Sequence, residues 1–270
     1  MGCVGTPAVD YDGFLKELYG CKFCVEQRRP FAIPTPDGMP RRGWNKFRHN
    51  SAANAPHKFP PIGFGNRSLL FLAINPRFTA NSAVHAEVMS SLRAFESFAQ
   101  NTVFGSSYIR PASSAGGEER ESFYDDQQRI ASAVFPDRPF AAVACSAEMY
   151  FCASADADGL HCANSPCANR FLRRLIEDFV QPNLIVTFGN QIPRFFRKNL
   201  RGIRPGVIHL PFRSSWSARD NATMDVTVDW AARATAALFA GTSVPSRNWS
   251  WPSADSPKPV EDYSGRSGKP

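Results

Sequence analysis

A chain of 270 residues, 43% hydrophobic and 20% charged, can bury a substantial core. No apolar run approaches the roughly 20 residues of a membrane span, and Met1 to Thr6 lack the basic-then-apolar layout of a secretion signal. These features set the expectation of a cytoplasmic protein. Met1-Gly2 with Thr6 matches part of a myristoylation motif, in an otherwise poor context.

Tyr11 to Tyr19 spaces Phe14, Leu15 and Leu18 as a short helix, with Gly20 as its stop. Residues 25 to 67 are rich in Pro, Gly, Arg and Asn and read as a long irregular segment. The run Ser68 to Ile74 is a buried strand, broken by Asn75-Pro76. Ser82 to Phe98 sets Val84, Val88, Leu92, Phe95 and Phe98 on one helical face, and Ser122 to Val134 predicts another helix.

Phe140 to Cys145 reads as a second strand. Ser165-Pro166 opens a helix, Ser as cap and Pro in the first turn, with an apolar stripe through Phe171, Leu172, Leu175, Ile176 and Phe179. Asn183 to Phe188 is a third strand, Gly189 a turn, and Gln191 to Leu200 a basic helix. Gly206 to Leu210 is a fourth strand and Thr223 to Phe239 a closing helix. Strands alternating with helices predict a three-layer α/β/α sandwich around a mainly parallel four-stranded sheet, one domain spanning residues 1–240. Residues 241–270, rich in Ser, Pro, Gly and Lys, are expected to be a disordered basic tail.

The net charge of +7 is concentrated: Arg170 to Arg219 holds ten Lys or Arg residues against Glu177 and Asp178. Such a stripe suits a polyanion, with affinity that falls as salt rises; the competing account is a set of solvated helix faces.

Seven cysteines without a secretion signal argue against a disulfide framework. Cys21-x-x-Cys24 gives two thiolates at metal-binding spacing. Cys145 is expected to end a strand and Cys167 to lie in the first turn of the next helix. Four thiolates suit an iron–sulfur cluster or, as the alternative, zinc.

A neutral amide, Asn75, is left at the carboxyl end of the first strand, where open α/β sheets bind ligands. Together with the cysteines this pattern resembles the uracil-DNA glycosylase superfamily, particularly its iron–sulfur members. The resemblance covers roughly residues 14 to 240 and rests on Cys21, Cys24, Cys145 and Cys167, followed by Leu184-Ile185-Val186-Thr187-Phe188-Gly189. It implies a structural four-iron, four-sulfur cluster on those four cysteines, and an insertion within 100 to 138.

Ala73-Ile74-Asn75-Pro76-Arg77 is similar to the family's first catalytic motif, which implies a water-positioning Asn75 with Ala73 and Arg77 in place of flanking glycines. Val207 to Ser215 is similar to the second motif. One register puts Phe212 at the catalytic histidine, Arg213 next and Ser214 at the family's serine; the other makes His209 the functional histidine. Ala141, four positions before Cys145, stands where the iron–sulfur members place a base-reading Asn, so strict uracil discrimination is not expected.

The implied chemistry is hydrolysis of an N-glycosidic bond in DNA, with the nucleotide flipped out of the stack. Phe78 and Phe104 are the candidate stacking faces, and Arg77, Phe212 and Ser214 further substrate contacts. Arg213, or backbone N–H groups near Ala73, would stabilise the departing base. The expectation is therefore a monomeric, monofunctional DNA glycosylase of base excision repair, acting on uracil and other deaminated or damaged bases. Its rivals are a non-catalytic nucleic-acid-binding protein on the same scaffold and a zinc-stapled enzyme acting on a small molecule.

Overall fold

The computed structural model describes residues 10–21, 33–34, 40–41, 49–50, 55–56, 61–63, 65–74, 109–111, 118–120, 122–149, 151, 168–211, 221–251 and 256–265. The expected helix over 82–98 and the Ser165-Pro166 cap lie outside them.

Helix α1 spans Tyr11–Gly20. Its amino end is fixed by the Asp10 carboxylate, which accepts from the Gly13 N–H at 2.8 Å, satisfying one of the orphan donors of a first turn. Phe14, Leu15 and Leu18 form its buried stripe.

Five strands build the main sheet: β1 (Leu69–Ala73), β2 (Ala144–Glu148), β3 (Leu184–Phe188), β4 (Gly206–Leu210) and β5 (Val260–Asp262). Their spatial order is β5-β4-β3-β1-β2. The neighbours from β4 through β2 are parallel, and β5 runs antiparallel to β4. The chain is thus an α/β protein with a mostly parallel sheet, as expected, but of five strands where four were predicted. Leu69 to Ala73 and Leu184 to Phe188 are buried throughout. Such continuous runs are what a sheet covered on both sides requires.

Because side chains alternate across a strand, each strand feeds two apolar clusters. Leu69, Phe71, Ala73, Val186, Phe188, Ile208 and Leu210 pack with residues of α2 (Ser122–Ser132), α3 (Phe140–Val143) and α5 (Asn221–Ala240). Leu70, Leu72, Ile185 and Val207 pack with α1, with the helix π-wound at Ala168–Leu172 and Leu175–Val180, and with α4 (Ile192–Asn199). None of the described helices is long and apolar enough to cross a membrane.

Two expectations are corrected. The run Phe140 to Cys145 is not a strand: after Pro139 it makes one helical turn, burying Phe140 and Val143 together, and only then extends as β2. An i, i+3 pair of large apolar residues favours that turn. Cys145 is therefore the second residue of its strand, not the last, and Ala141 belongs to α3 at the amino edge of the sheet.

The segment after residue 240 is not a disordered tail where it is described. It supplies β5, and Trp249 and Trp251 are buried. Trp249 packs edge-on against Trp230 of α5 with centroids 5.8 Å apart, and Trp251 lies 6.0 Å from Trp249. The Arg247 guanidinium sits 4.8 Å over the Trp249 ring, a cation–π contact that fastens the segment to the core. Aromatic residues spaced through a Ser/Pro-rich stretch supply the apolar area that the bulk composition hides.

Candidate functional site at the carboxyl edge of the sheet

The chain leaves β1 for β2 on one side and leaves β3 for β4 on the other. β1 and β3 are neighbours, so the chain leaves their carboxyl ends in opposite directions, and the crevice position where such sheets bind ligands, the topological switch point, falls between them. Glu148, Ala73, Phe188 and Leu210 stand in register across that edge. Both predicted motifs, the one starting at Ala73 and the one following His209, leave the sheet here, separated by β3 alone.

The edge is tightly built. The Met149 N–H donates to the Ala73 carbonyl at 2.8 Å, and the Gly189 N–H donates to the Leu210 carbonyl at 2.8 Å. Gly189 has φ +150°, and a Cβ there would fall 2.8 Å from Ile74 Cδ1 and Cγ1. A glycine is required because the turn after β3 closes against the residue that precedes Asn75. Asn190 follows, and its side-chain oxygen is buried without a hydrogen-bond partner among the described residues.

His209 is not at this crevice. It is 1% exposed. Its Nδ1 lies 2.7 Å from the Thr187 hydroxyl and its Nε2 3.0 Å from the Tyr263 hydroxyl. Tyr263 in turn donates to Glu261, which also accepts from Arg197 at 2.7 Å. Burial above all holds the His209 pKa down to about 3, with Arg197 adding to the depression and Glu261 opposing it. Burial raises the Tyr263 hydroxyl well above its ordinary value, and its bond to Glu261 adds to this. Burial pushes Glu261 up, but the hydrogen bonds from Arg197 and Tyr263 outweigh it and hold the carboxyl below its ordinary range. A neutral, enclosed imidazole with both nitrogens engaged is a structural group, so the register that makes His209 catalytic finds no support in its surroundings.

Of the other expected site residues, Asn75, Arg77, Phe78, Phe104, Phe212, Arg213 and Ser214 lie outside the described residues, as do Cys24 and Cys167. Ala73 is 2% exposed and ends β1. Cys145 is a fully buried member of the cluster around α1, and Cys21, just past the α1 end, packs against that same cluster. Burial pushes the Cys145 thiol up to about 12, with Arg67 pulling weakly the other way. Among the described residues no three His, Cys, Asp or Glu side chains gather as a metal site, and only two of the four cysteines are among them. Those two fit a shared centre in one respect: both belong to one face of the sheet.

Half of the described basic stripe is spent on internal ion pairs. Arg170 and Arg174 both pair with Glu17 (3.0 and 2.6 Å), Arg173 with Glu177 (2.6 Å) and Arg197 with Glu261 (2.7 Å). Arg201 donates to the Arg197 carbonyl at 3.0 Å. Arg194, Lys198, Arg201 and Arg204 are exposed and have no carboxylate partner among the described residues.

Three buried polar residues were missed by the reading of the sequence. Glu148 is 5% exposed at the end of β2, Asp126 4% exposed on α2, and Gln127, beside it, fully buried. Asp126 and Gln127 occupy the stripe that Ile130 and Ala131 continue, and polar residues on an apolar helical face are the sign that could have singled them out. Compared with known proteins, the chain matches no family model and no curated relative.

Proposed function

We propose that this protein is a monofunctional DNA glycosylase of the uracil-DNA glycosylase type, on a three-layer α/β/α scaffold, hydrolysing the N-glycosidic bond of uracil and other deaminated or damaged bases. The observation that carries the reading is the shared exit of the 73–77 and 209–214 motifs from one sheet edge, flanking the switch point between β1 and β3. In this reading the two motifs, far apart in sequence, meet on a single extruded nucleotide.

In this reading Asn75 holds the attacking water through its carboxamide oxygen. The water oxygen bonds to C1′ as the C1′–N bond breaks; the base departs with the bonding pair, and the water proton passes to solvent. With His209 committed to the core, stabilisation of the departing anion falls to Arg213 and to backbone N–H groups of the edge. Arg77, Phe78, Phe104, Phe212 and Ser214 are the proposed substrate contacts.

An iron–sulfur cluster on Cys21, Cys24, Cys145 and Cys167 is proposed as a structural staple. Cys145 lies three residues from the carboxyl end of β2, about 10 Å at the rise of a strand, so a centre there supports the fold and takes no part in the reaction. A metal would supply the positive charge that a buried thiolate needs.

Oligonucleotides carrying single uracil, hypoxanthine or xanthine, treated with the protein and then with alkali, test the proposal: cleavage at the lesion is expected, and intact strands for every lesion overturn it. The second reading is a nucleic-acid-binding protein on the same scaffold without catalysis. It is favoured by the engagement of His209, and salt-sensitive DNA binding without abasic product would establish it.

A further inference from the structure

We propose that Gln127 reads the flipped base, its buried carboxamide pairing with a ligand edge on which a hydrogen-bond donor sits beside an acceptor, as on the Watson–Crick edge of a nucleobase. The inference rests on the glycosylase reading for its ligand class, and on the following geometry for its site. Gln127 is completely buried, and neither its Oε1 nor its Nε2 has a hydrogen-bond partner among the described residues. Buried polar atoms are nearly always paired, and a carboxamide with both ends unsatisfied is the exception that calls for an explanation.

Its place in the fold supplies one. Asp126, Gln127, Ile130 and Ala131 are the buried side of α2, and Ile130 and Ala131 share a cluster with Ala73, Phe188 and Leu210, the last residues of three parallel strands. From α2 the chain continues through α3 into the amino end of β2, so α2 descends from the carboxyl edge and its first turns lie toward the crevice. Arg129, in the last turn of α2, pairs with Asp229 and with Asp225 at 3.5 Å, and Phe135, just beyond α2, packs against Phe239 at 5.4 Å. These contacts set α2 alongside α5 and running the same way, and α5 likewise begins after β4 has left that edge. Glu148, in register with Ala73, faces the same side of the sheet.

A carboxamide suits the task because it offers one donor and one acceptor side by side at every pH. With neither atom held by a described partner, nothing there fixes which way the amide points, and a broad range of bases follows. Ala141, on α3 at the opposite edge, is in no position to share the role.

Binding of free uracil and of 3-methyluracil, in which the donor is blocked, is measured by calorimetry on the full chain and on Gln127→Leu and Gln127→Met. The wild type is expected to prefer uracil by about tenfold or more, the scale of a bidentate amide–base pair. Both variants should lose that preference while keeping their circular dichroism and melting temperature. Equal binding of the two ligands by wild type, or a preference that survives in either variant, overturns the inference; in that case the amide holds only a buried water. The alkali cleavage assay on the same preparations separates the two proposals. A Gln127-dependent preference without abasic product removes the catalysis and leaves the base reader, whereas product that is insensitive to Gln127 does the reverse.

Discussion

His209 and Tyr263, 54 positions apart, meet through Nε2 and the phenolic oxygen at 3.0 Å, and this contact ties the last strand to the sheet. Tyr263 donates its proton to Glu261, so it must accept from His209, and Nδ1 must then accept from Thr187. The ring is thereby fixed as the neutral Nε2–H tautomer. The chain Thr187–His209–Tyr263–Glu261–Arg197 spans β3, β4, β5 and α4, which makes it a fastening of the fold.

Stability should fall in mild acid because of this ring. The folded pKa of His209 is about 3 against an ordinary 6.5, so above pH 6.5 both states are neutral and the full stability is present. As the pH drops below that, the unfolded chain takes up a proton that the folded chain refuses, and stability is lost until about pH 3. Between pH 7 and 4.5 the loss from this residue is about 2–3 kcal/mol. Glu261, depressed below its ordinary value, acts in the same direction at lower pH. Urea midpoints across this range should decline, and His209→Phe should flatten the decline between pH 6.5 and 4.5; an unchanged slope would remove His209 as the cause.

Tyr263→Phe keeps the ring contact with Phe196, whose centroid is 5.5 Å away, and deletes only the hydroxyl. It leaves the His209 N–H without its acceptor, a cost of about 1–3 kcal/mol. A matching fall in the urea midpoint is expected, larger than that of an exposed substitution such as Lys198→Ala, which should be near zero.

How far the sequence revealed this arrangement differs by element. The strand Gly206–Leu210 was legible because an apolar run bounded by turn residues has one interpretation, and the helix over Tyr11 to Tyr19 because its apolar stripe and the Gly20 stop agree. The run 140–145 misled because a short apolar stretch looks alike as a strand or as one helical turn, and the choice rests on packing that the sequence does not display. β5 escaped because three residues, Val260-Glu261-Asp262, gain their strand from β4 and not from their own propensity. The candidate site was legible as two motifs; their common edge required the strand order. Gln127 and Glu148 stayed hidden since a polar residue declares itself buried only once its neighbours are in place.

Gly189→Ala places a methyl group 2.8 Å from Ile74 in a backbone conformation that side chains rarely adopt. The expected cost is about 1–3 kcal/mol, read as a lower melting temperature. Because Ile74 leads directly into Asn75, excision should fall more than DNA affinity does. Ile74→Ala, which removes both contacting carbons, should recover part of both in the double variant; no recovery would break the proposed link between the two turns.

Substitution of the cysteines separates a cluster from incidental thiols. Cys21→Ser or Cys145→Ser should remove iron, measured by metal analysis, together with the visible absorption, and should lower the melting temperature. Cys152→Ser, outside the proposed set, should change none of these. Zinc in place of iron in the wild type would support the alternative ion on the same ligands, and absence of both metals would leave Cys145 as a plain core thiol.

Asn75→Ala tests the reaction itself. If the carboxamide positions the water, its loss removes an interaction made chiefly in the transition state, so single-turnover excision of uracil should drop by about 100-fold or more. Affinity for a lesion-bearing duplex should change little, since that carboxamide contributes little to holding the strand. Asn75→Asp distinguishes orientation from polarity: it retains the accepting oxygen but adds a charge, which opposes departure of an anionic base while favouring a cationic sugar. Excision by the Asp variant at an intermediate rate is expected. Equal rates for all three proteins would take Asn75 out of the mechanism and move the search for the water-holding group to Asn190, in the turn after β3, whose side-chain oxygen is buried without a partner among the described residues.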